Sequence, residues 1–238
     1  MIGLGTAINI GLIIAGSLCG LAFGRFMKEN LKQTLMMVSG IIVLLLGMSG
    51  AMQYMLVIVN GTIQTMGPML MIISMVAGAV IGELIDLNRW ITVFGDWVKA
   101  KTGNTGDPQF THAFITASLT FTVGAMGVLG SIQDGLTGNY QTLLLKGILD
   151  GIIVMVMVSS MGKGALFSFI PVGITQWIIT AMAHIAAPLM TPSAIDNLSY
   201  VGSILIFCVG IDLIWPGKIR IANLLPAIFV AMGLTFLL

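Results

Sequence analysis

Long apolar runs separated by short polar connections organise the whole chain. A helix needs roughly 20 residues to cross about 30 Å of hydrocarbon. On that measure eight spans are expected, near residues 4–24, 34–57, 66–86, 111–131, 140–161, 165–188, 198–214 and 221–238. The stretch from Gln33 to Gly82 carries no charge and is too long for one helix, and the Asn60-Gly61 turn signal divides it. Between spans 3 and 4, Trp90, Ile91, Phe94, Trp97 and Val98 share one helical face, with Arg89, Asp96 and Lys99 mostly on the other. That pattern predicts an interfacial amphipathic helix over about 89–101. The polar segment 102–110 is the only expected linker. The predicted fold class is an all-α polytopic membrane protein of about eight transmembrane helices, a single integral membrane domain over residues 1–238.

Composition leaves no soluble alternative. Of 238 residues, 57% are hydrophobic and 8% charged, with a mean hydropathy of +1.05, whereas soluble domains carry about 25% charged residues. The expected partner is therefore the lipid bilayer. Ten Lys and Arg nearly balance nine Asp and Glu, so no basic surplus points to nucleic acid. Cys19 and Cys208 both lie in apolar runs, where a thiol behaves as a small hydrophobe. The 18 methionines are scattered, without a metal-pathway grouping. No cofactor or metal is expected.

The few charges are themselves informative. Arg25, Lys28 and Lys32 follow span 1, Arg89, Lys99 and Lys101 follow span 3, Lys163 follows span 5, and Lys218 and Arg220 follow span 7. Nine of the ten bases thus fall in odd-numbered connections. By the positive-inside rule both termini are expected outside the cytoplasm. Tyr54, Tyr140 and Tyr200 fall at outer ends and Trp90, Trp97 and Trp215 at inner ends, as amphipathic rings prefer. The stretch Met1 to Phe23 lacks a basic leader and is too long for a signal core, so it reads as span 1.

Two patterns suit a transport architecture. Val38 to Gly47 resembles Val201 to Gly210, with Leu35 matching Leu198 at the same shift. On the expected topology a repeat of spans 1–3 in spans 6–8 is inverted, an arrangement that builds many secondary transporters. In span 4, Gly124, Gly127 and Gly130 recur every third residue before Ser131, Gln133 and Asp134. Such glycines either admit a neighbouring backbone or let the helix break and expose main-chain groups. Gly16, Gly20 and Gly24 in span 1, and Gly78 with Gly82 in span 3, read as packing faces. The overlapping small-residue faces of span 1 suit a homodimer contact or internal packing equally.

Polar groups inside the spans are the candidate chemistry. Lys146 and Asp150 lie four residues apart on one face of span 5. A charge at the bilayer centre costs about 2.5–3.5 kcal/mol on insertion scales, so the pair should face the bundle interior. A binding site and a structural salt bridge both fit. Gln176 follows Pro171, which is expected to kink span 6. Asn9 in span 1 and Asn223 in span 8 are further amides that lipid cannot satisfy; interhelical bonds and solute contacts are the two readings. Thr116 and Thr120 can bond their own helix. His112 and His184 read as interfacial, and Glu83 with Asp86 as a solvated cap and pair.

The stretches Gly124-Ala-Met-Gly-Val-Leu-Gly-Ser-Ile-Gln-Asp-Gly135, Lys146-Gly-Ile-Leu-Asp-Gly151, Gly82-Glu-Leu-Ile-Asp86 and Ile219-Arg-Ile-Ala-Asn-Leu-Leu-Pro226 resemble the bacterial DUF554 membrane proteins, the YdfK/YqgA type, over nearly the whole chain. Gly147 stands where a Ser is more usual, and Thr175-Gln176-Trp177 where Tyr-Gln-Gly is common. The resemblance implies a polytopic protein of the bacterial inner membrane and no particular activity.

No phosphate-binding loop, His-Glu-x-x-His or haem and iron–sulfur spacing occurs. A paired-aspartate protease would have to use Asp150 with Asp212, which lies near the inner end of span 7. No enzyme activity is expected. Two functions are carried forward. The first is a secondary transporter or channel for a small polar or ionic solute, with Asp150, Lys146, Gln133, Asp134, Ser131, Gln176, Asn9 and Asn223 as candidate ligands. The second is a non-transporting sensor or assembly protein whose polar residues only lock helices together.

Overall fold

The computed structural model of the chain describes residues 2–189 and 191–236. The helices are α1 (Leu4–Gly24), α2 (Glu29–Met55), α3 (Pro68–Ile85), α4 (Leu87–Lys101), α5 (Phe110–Thr122), α6 (Ala125–Thr137), α7 (Gln141–Met161), α8 (Phe169–Ala181), α9 (Ala183–Ala186), α10 (Pro192–Ile214) and α11 (Pro226–Leu234). Beside an apolar core, the burial pattern departs from that of a soluble domain. Ile41, Leu45, Met48 and Met52 of α2 form an exposed stripe, while Thr6, Asn9, Ser17 and Ser74 are fully buried. Lipid is as apolar as leucine, so helices associate through small and polar residues and turn their bulk outward.

Glycines set the packing. A Cβ on Gly16 or Gly20 would overlap the backbone of Gly151 or Met155, so α1 lies directly on α7, and the constant offset makes the two parallel. Ser159 Oγ donates to the Gly20 carbonyl at 3.0 Å across this contact. Thus the small-residue face of span 1 is occupied within the molecule. Helices α2 and α10 pack antiparallel, Gly47 against Phe207 and Gly210 against Leu44. Helix α3 runs antiparallel to α11 through Gly78 on Ala227 and Gly82 on Asn223. A hydrophobic core including Ile13, Val43, Leu119, Phe121, Val154 and Leu213 joins α1, α2, α5, α7 and α10.

Among the described residues six helices are long and apolar enough to cross a membrane, and the α5–α6 pair, bent by 60°, makes a seventh if taken as one span. The expected eighth span is a shorter apolar segment, Ile221–Leu234, begun by the 3-10 turn Ile221–Leu224; positions 237 and 238 lie outside the described residues. Span 6 is also less regular than expected. It begins as the 3-10 turn Lys163–Ser168 and ends in the separate turn α9. Pro171 does not kink it, because it falls in the first turn of α8, where its missing N–H has no intrahelical partner to lose. The Asn60-Gly61 turn belongs to an unforeseen hairpin, Leu56–Val59 paired antiparallel with Thr62–Thr65. Both turn residues have positive φ, 51° and 76°, as a two-residue hairpin loop requires.

The connections after α1, α3, α4, α7 and α10 meet at one end of the bundle. Arg25, Asp107 and Lys163 border one surface pocket, Thr111 Oγ1 donates to Asp96 at 2.6 Å, and Arg220 pairs with Glu83 at 3.1 Å. Helix α4 packs there through Gly95 and Val98, leaving Trp90, Val93 and Trp97 exposed.

Candidate functional site

Helix α5 ends at Thr122 and α6 begins at Ala125. The joint is Val123-Gly124, and Gly124 has φ 143° and ψ 149°, a region open essentially to glycine alone. Of the three glycines expected to break the span, only Gly124 does so. Gly127 and Gly130 stay helical and instead admit neighbours: a Cβ on Gly127 would stand 3.3 Å from Lys146 Cε, and one on Gly130 would stand 2.9 Å from the Leu143 side chain.

Beside the break lies a cavity of about 410 Å³. Helix α7 contributes Lys146 and Asp150, α5 contributes Thr120, the break and α6 contribute Gly124 and Gly127, α2 contributes Ser49, Gln53 and Tyr54, and α10 contributes Ser199 and Ser203. Lys146 Nζ donates to Asp150 Oδ2, and both side chains are 9% exposed. Asn9 of α1 interacts with Asp150, and α1 comes this close because Gly147 has no side chain to hold it off. Neither amide atom of Asn9 has a geometrically complete hydrogen bond among the described residues. Gln176 of α8 is 3% exposed; its Nε2 reaches towards Gly127, and its Oε1 is unpartnered.

The other candidates have hydrogen-bond partners within the protein. Asp134 is fully buried and its Oδ2 accepts the Gly5 N–H at 3.0 Å, placing an anion at the N-terminus of α1. Gln133 accepts from Thr142 Oγ1 at 2.7 Å. Ser131 Oγ donates to the Gly127 carbonyl at 2.6 Å. Asn223 Oδ1 accepts the Asn88 N–H at 2.6 Å near the start of α4. None of these four lines the central cavity.

A second cavity, of about 400 Å³, lies at the end of the bundle where the basic connections meet, lined by Thr111, His112 and Thr116 of α5 with Asp212 and Arg220. His112 Nε2 is 3.3 Å from Asp212 Oδ2, so this histidine is paired rather than merely interfacial. Asp212 Oδ1 accepts the Gly217 N–H at 2.8 Å. Asp150 and Asp212 therefore border different cavities. Leu119 on one wall and Val43 on the other belong to the same hydrophobic core.

A family model described as "Protein of unknown function (DUF554)" matches residues 4–236. The chain belongs to the DUF554 family. It is 27% identical over 235 residues to the "Uncharacterized membrane protein YdfK" of Bacillus subtilis (strain 168), covering 98% of this chain and 96% of that one. It is 24% identical over 240 residues to the "Uncharacterized protein YqgA" of Escherichia coli (strain K12), with 98% and 96% covered. No solved structure matches the chain. This DUF554 protein is thus a multi-pass α-helical membrane protein, with a buried ion pair beside a broken helix. Sequence reasoning missed Ser49, Gln53, Ser199 and Ser203 as cavity residues. The i, i+4 spacing within each pair, which puts both members on one helical face, was the available signal.

Proposed function

We propose that the protein is a secondary transporter or channel moving a small polar or ionic solute across the bacterial inner membrane, with the Lys146–Asp150 cavity as its site. The observation carrying this reading is the buried pair in the wall of a cavity bounded by an interrupted helix. Ionisable residues inside a membrane mark solute and ion pathways, and discontinuous helices supply charged helix ends and free backbone groups at such sites. Further support comes from Gly47 and Gly210, equivalent under the shift relating the two similar segments: Gly47 packs on Phe207, the position equivalent to Leu44, and Gly210 packs on Leu44. That is the contact an inverted repeat makes across its two-fold axis. The gathering of basic connections at one end supports a cytoplasmic face there, with both termini opposite. The chemistry proposed is binding and release, not catalysis.

Reconstitution into proteoliposomes tests this. Wild-type protein is expected to carry a solute that Asp150→Ala does not. Equal flux through both for every solute moved would remove this site.

A sensor or assembly role is the second reading, favoured by the hydrogen bonding of Asp134, Gln133, Ser131 and Asn223 within the protein, which makes much of the buried polarity structural. It gains if no solute crosses reconstituted membranes.

A further inference from the structure

Resting on the transport reading and deepening it, we infer that the central cavity takes a zwitterion, a small neutral α-amino acid bound through both its carboxylate and its ammonium group. The cavity carries charge of both signs in a fixed arrangement. Its positive corner combines Lys146 with the first turn of α6, since Lys146 Cε lies against Gly127. The cap of α6 is Gly124, which has no side chain with which to accept the leading amides. Those N–H groups and the helix dipole favour an anion. Its negative corner is Asp150.

Two buried amides beside these corners are incompletely bonded. Among the described residues Gln176 Oε1 lacks a partner, and the Asn9 amide, without a geometrically complete hydrogen bond, interacts with Asp150. Each is at most 3% exposed. Neither amide lines the cavity; both stand behind its wall, Gln176 next to Gly127 and Asn9 next to Gly147, so recognition falls to the charges of Lys146 and Asp150.

The sign of the solute follows from charge balance. An anion that captures Lys146 leaves Asp150 buried without its counter-charge. A cation that captures Asp150 leaves Lys146 alone beside an already positive helix end. Either outcome strands a charge in low dielectric, which is strongly unfavourable. A zwitterion inserted into the pair gives each protein charge a new partner and keeps the cavity neutral. Leu46, Leu149, Ile153 and Ile206 supply the remaining wall, which suits a short apolar side chain.

The test is calorimetric binding to the purified full chain in detergent. Neutral α-amino acids from glycine to leucine form the panel, and valine is compared with isovalerate and isobutylamine, the same skeleton bearing only the anion or only the cation. At least one panel amino acid is expected to bind, with valine at least about tenfold tighter than either single-charge analogue. The double variant Lys146→Met/Asp150→Leu, checked for wild-type elution and thermal unfolding, is expected to lose that discrimination. Binding of isovalerate or isobutylamine as tight as valine, no binding across the panel, or undiminished valine binding to the folded double variant would overturn the inference. Flux separates it from the broader reading. Transport of an anion or cation without amino-acid binding removes the zwitterion and keeps a transporter, whereas amino-acid binding without any flux keeps the site and removes transport.

Discussion

Asp134 near the end of α6 accepts a hydrogen bond from the backbone N–H of Gly5 at 3.0 Å, closing a contact across 129 positions of sequence. The carboxylate meets α1 where its amides are unsatisfied and its dipole is positive, so the bond is charge-assisted. Asp134→Ala is expected to lower stability by about 1–3 kcal/mol, the cost of leaving a buried donor unpaired. Thermal unfolding in detergent measures it. Solute binding at the central cavity should survive wherever the variant folds, because Asp134 is no part of that wall.

Along α1, two glycines separated by five positions predict opposite outcomes. Gly16 lies against the backbone of Gly151, whereas nothing stands within 4 Å of a Cβ on Gly11. Gly16→Leu forces α1 off α7 and is expected to cost at least about 1–3 kcal/mol. Gly11→Ala is expected to be neutral or stabilising by up to about 1 kcal/mol, since alanine is the better helix former. Paired unfolding curves decide between packing and composition as the reason for these glycines.

The buried pair was legible in the sequence because charge is so scarce in this chain that Lys146 stood out as the only base outside the connections. The break was legible only as a cluster, since Gly124, Gly127 and Gly130 look alike until φ values separate a joint from two close contacts. That Asp134 and Asn223 stand outside the cavity wall was not legible. Their partners, Gly5 and Asn88, lie 129 and 135 positions away, and no local pattern announces a tertiary helix cap. The hairpin was hidden because Leu56 to Val59 continues the apolar run of α2, although Asn60-Gly61 between β-branched residues was the appropriate clue.

Gly124 and Gly127 should respond differently to alanine. At Gly124 there is room, with the nearest atom, Ile206 Cδ1, 4.0 Å from a Cβ, but the backbone conformation excludes an L side chain. Gly124→Ala is therefore expected to cost about 1–3 kcal/mol through strain alone. At Gly127 the conformation is helical and the nearest neighbour is the flexible Lys146 side chain, 3.3 Å from a Cβ. Gly127→Ala should leave the unfolding midpoint near that of wild type while shifting the ammonium and weakening solute binding. Loss of stability in Gly127→Ala with binding intact would contradict the placement of Lys146 against α6.

The ion pair itself predicts a non-additive cycle. Lys146 and Asp150 are each 9% exposed at the side chain, so removing one leaves the other buried and uncompensated. Lys146→Met and Asp150→Leu are each expected to destabilise by about 3–5 kcal/mol, while the double variant, which replaces the pair with apolar groups, should return to within about 1 kcal/mol of wild type. Unfolding of the four proteins under one detergent condition gives the coupling. Solute flux should stay absent in the double variant despite its recovered stability, because the charges that bind the solute are gone. Recovery of both stability and flux would mean that the pair serves only to hold helices together. Additive losses would mean that the two charges are not coupled in the folded protein, and the cavity would then lack the neutral, two-signed wall on which its recognition of solute depends.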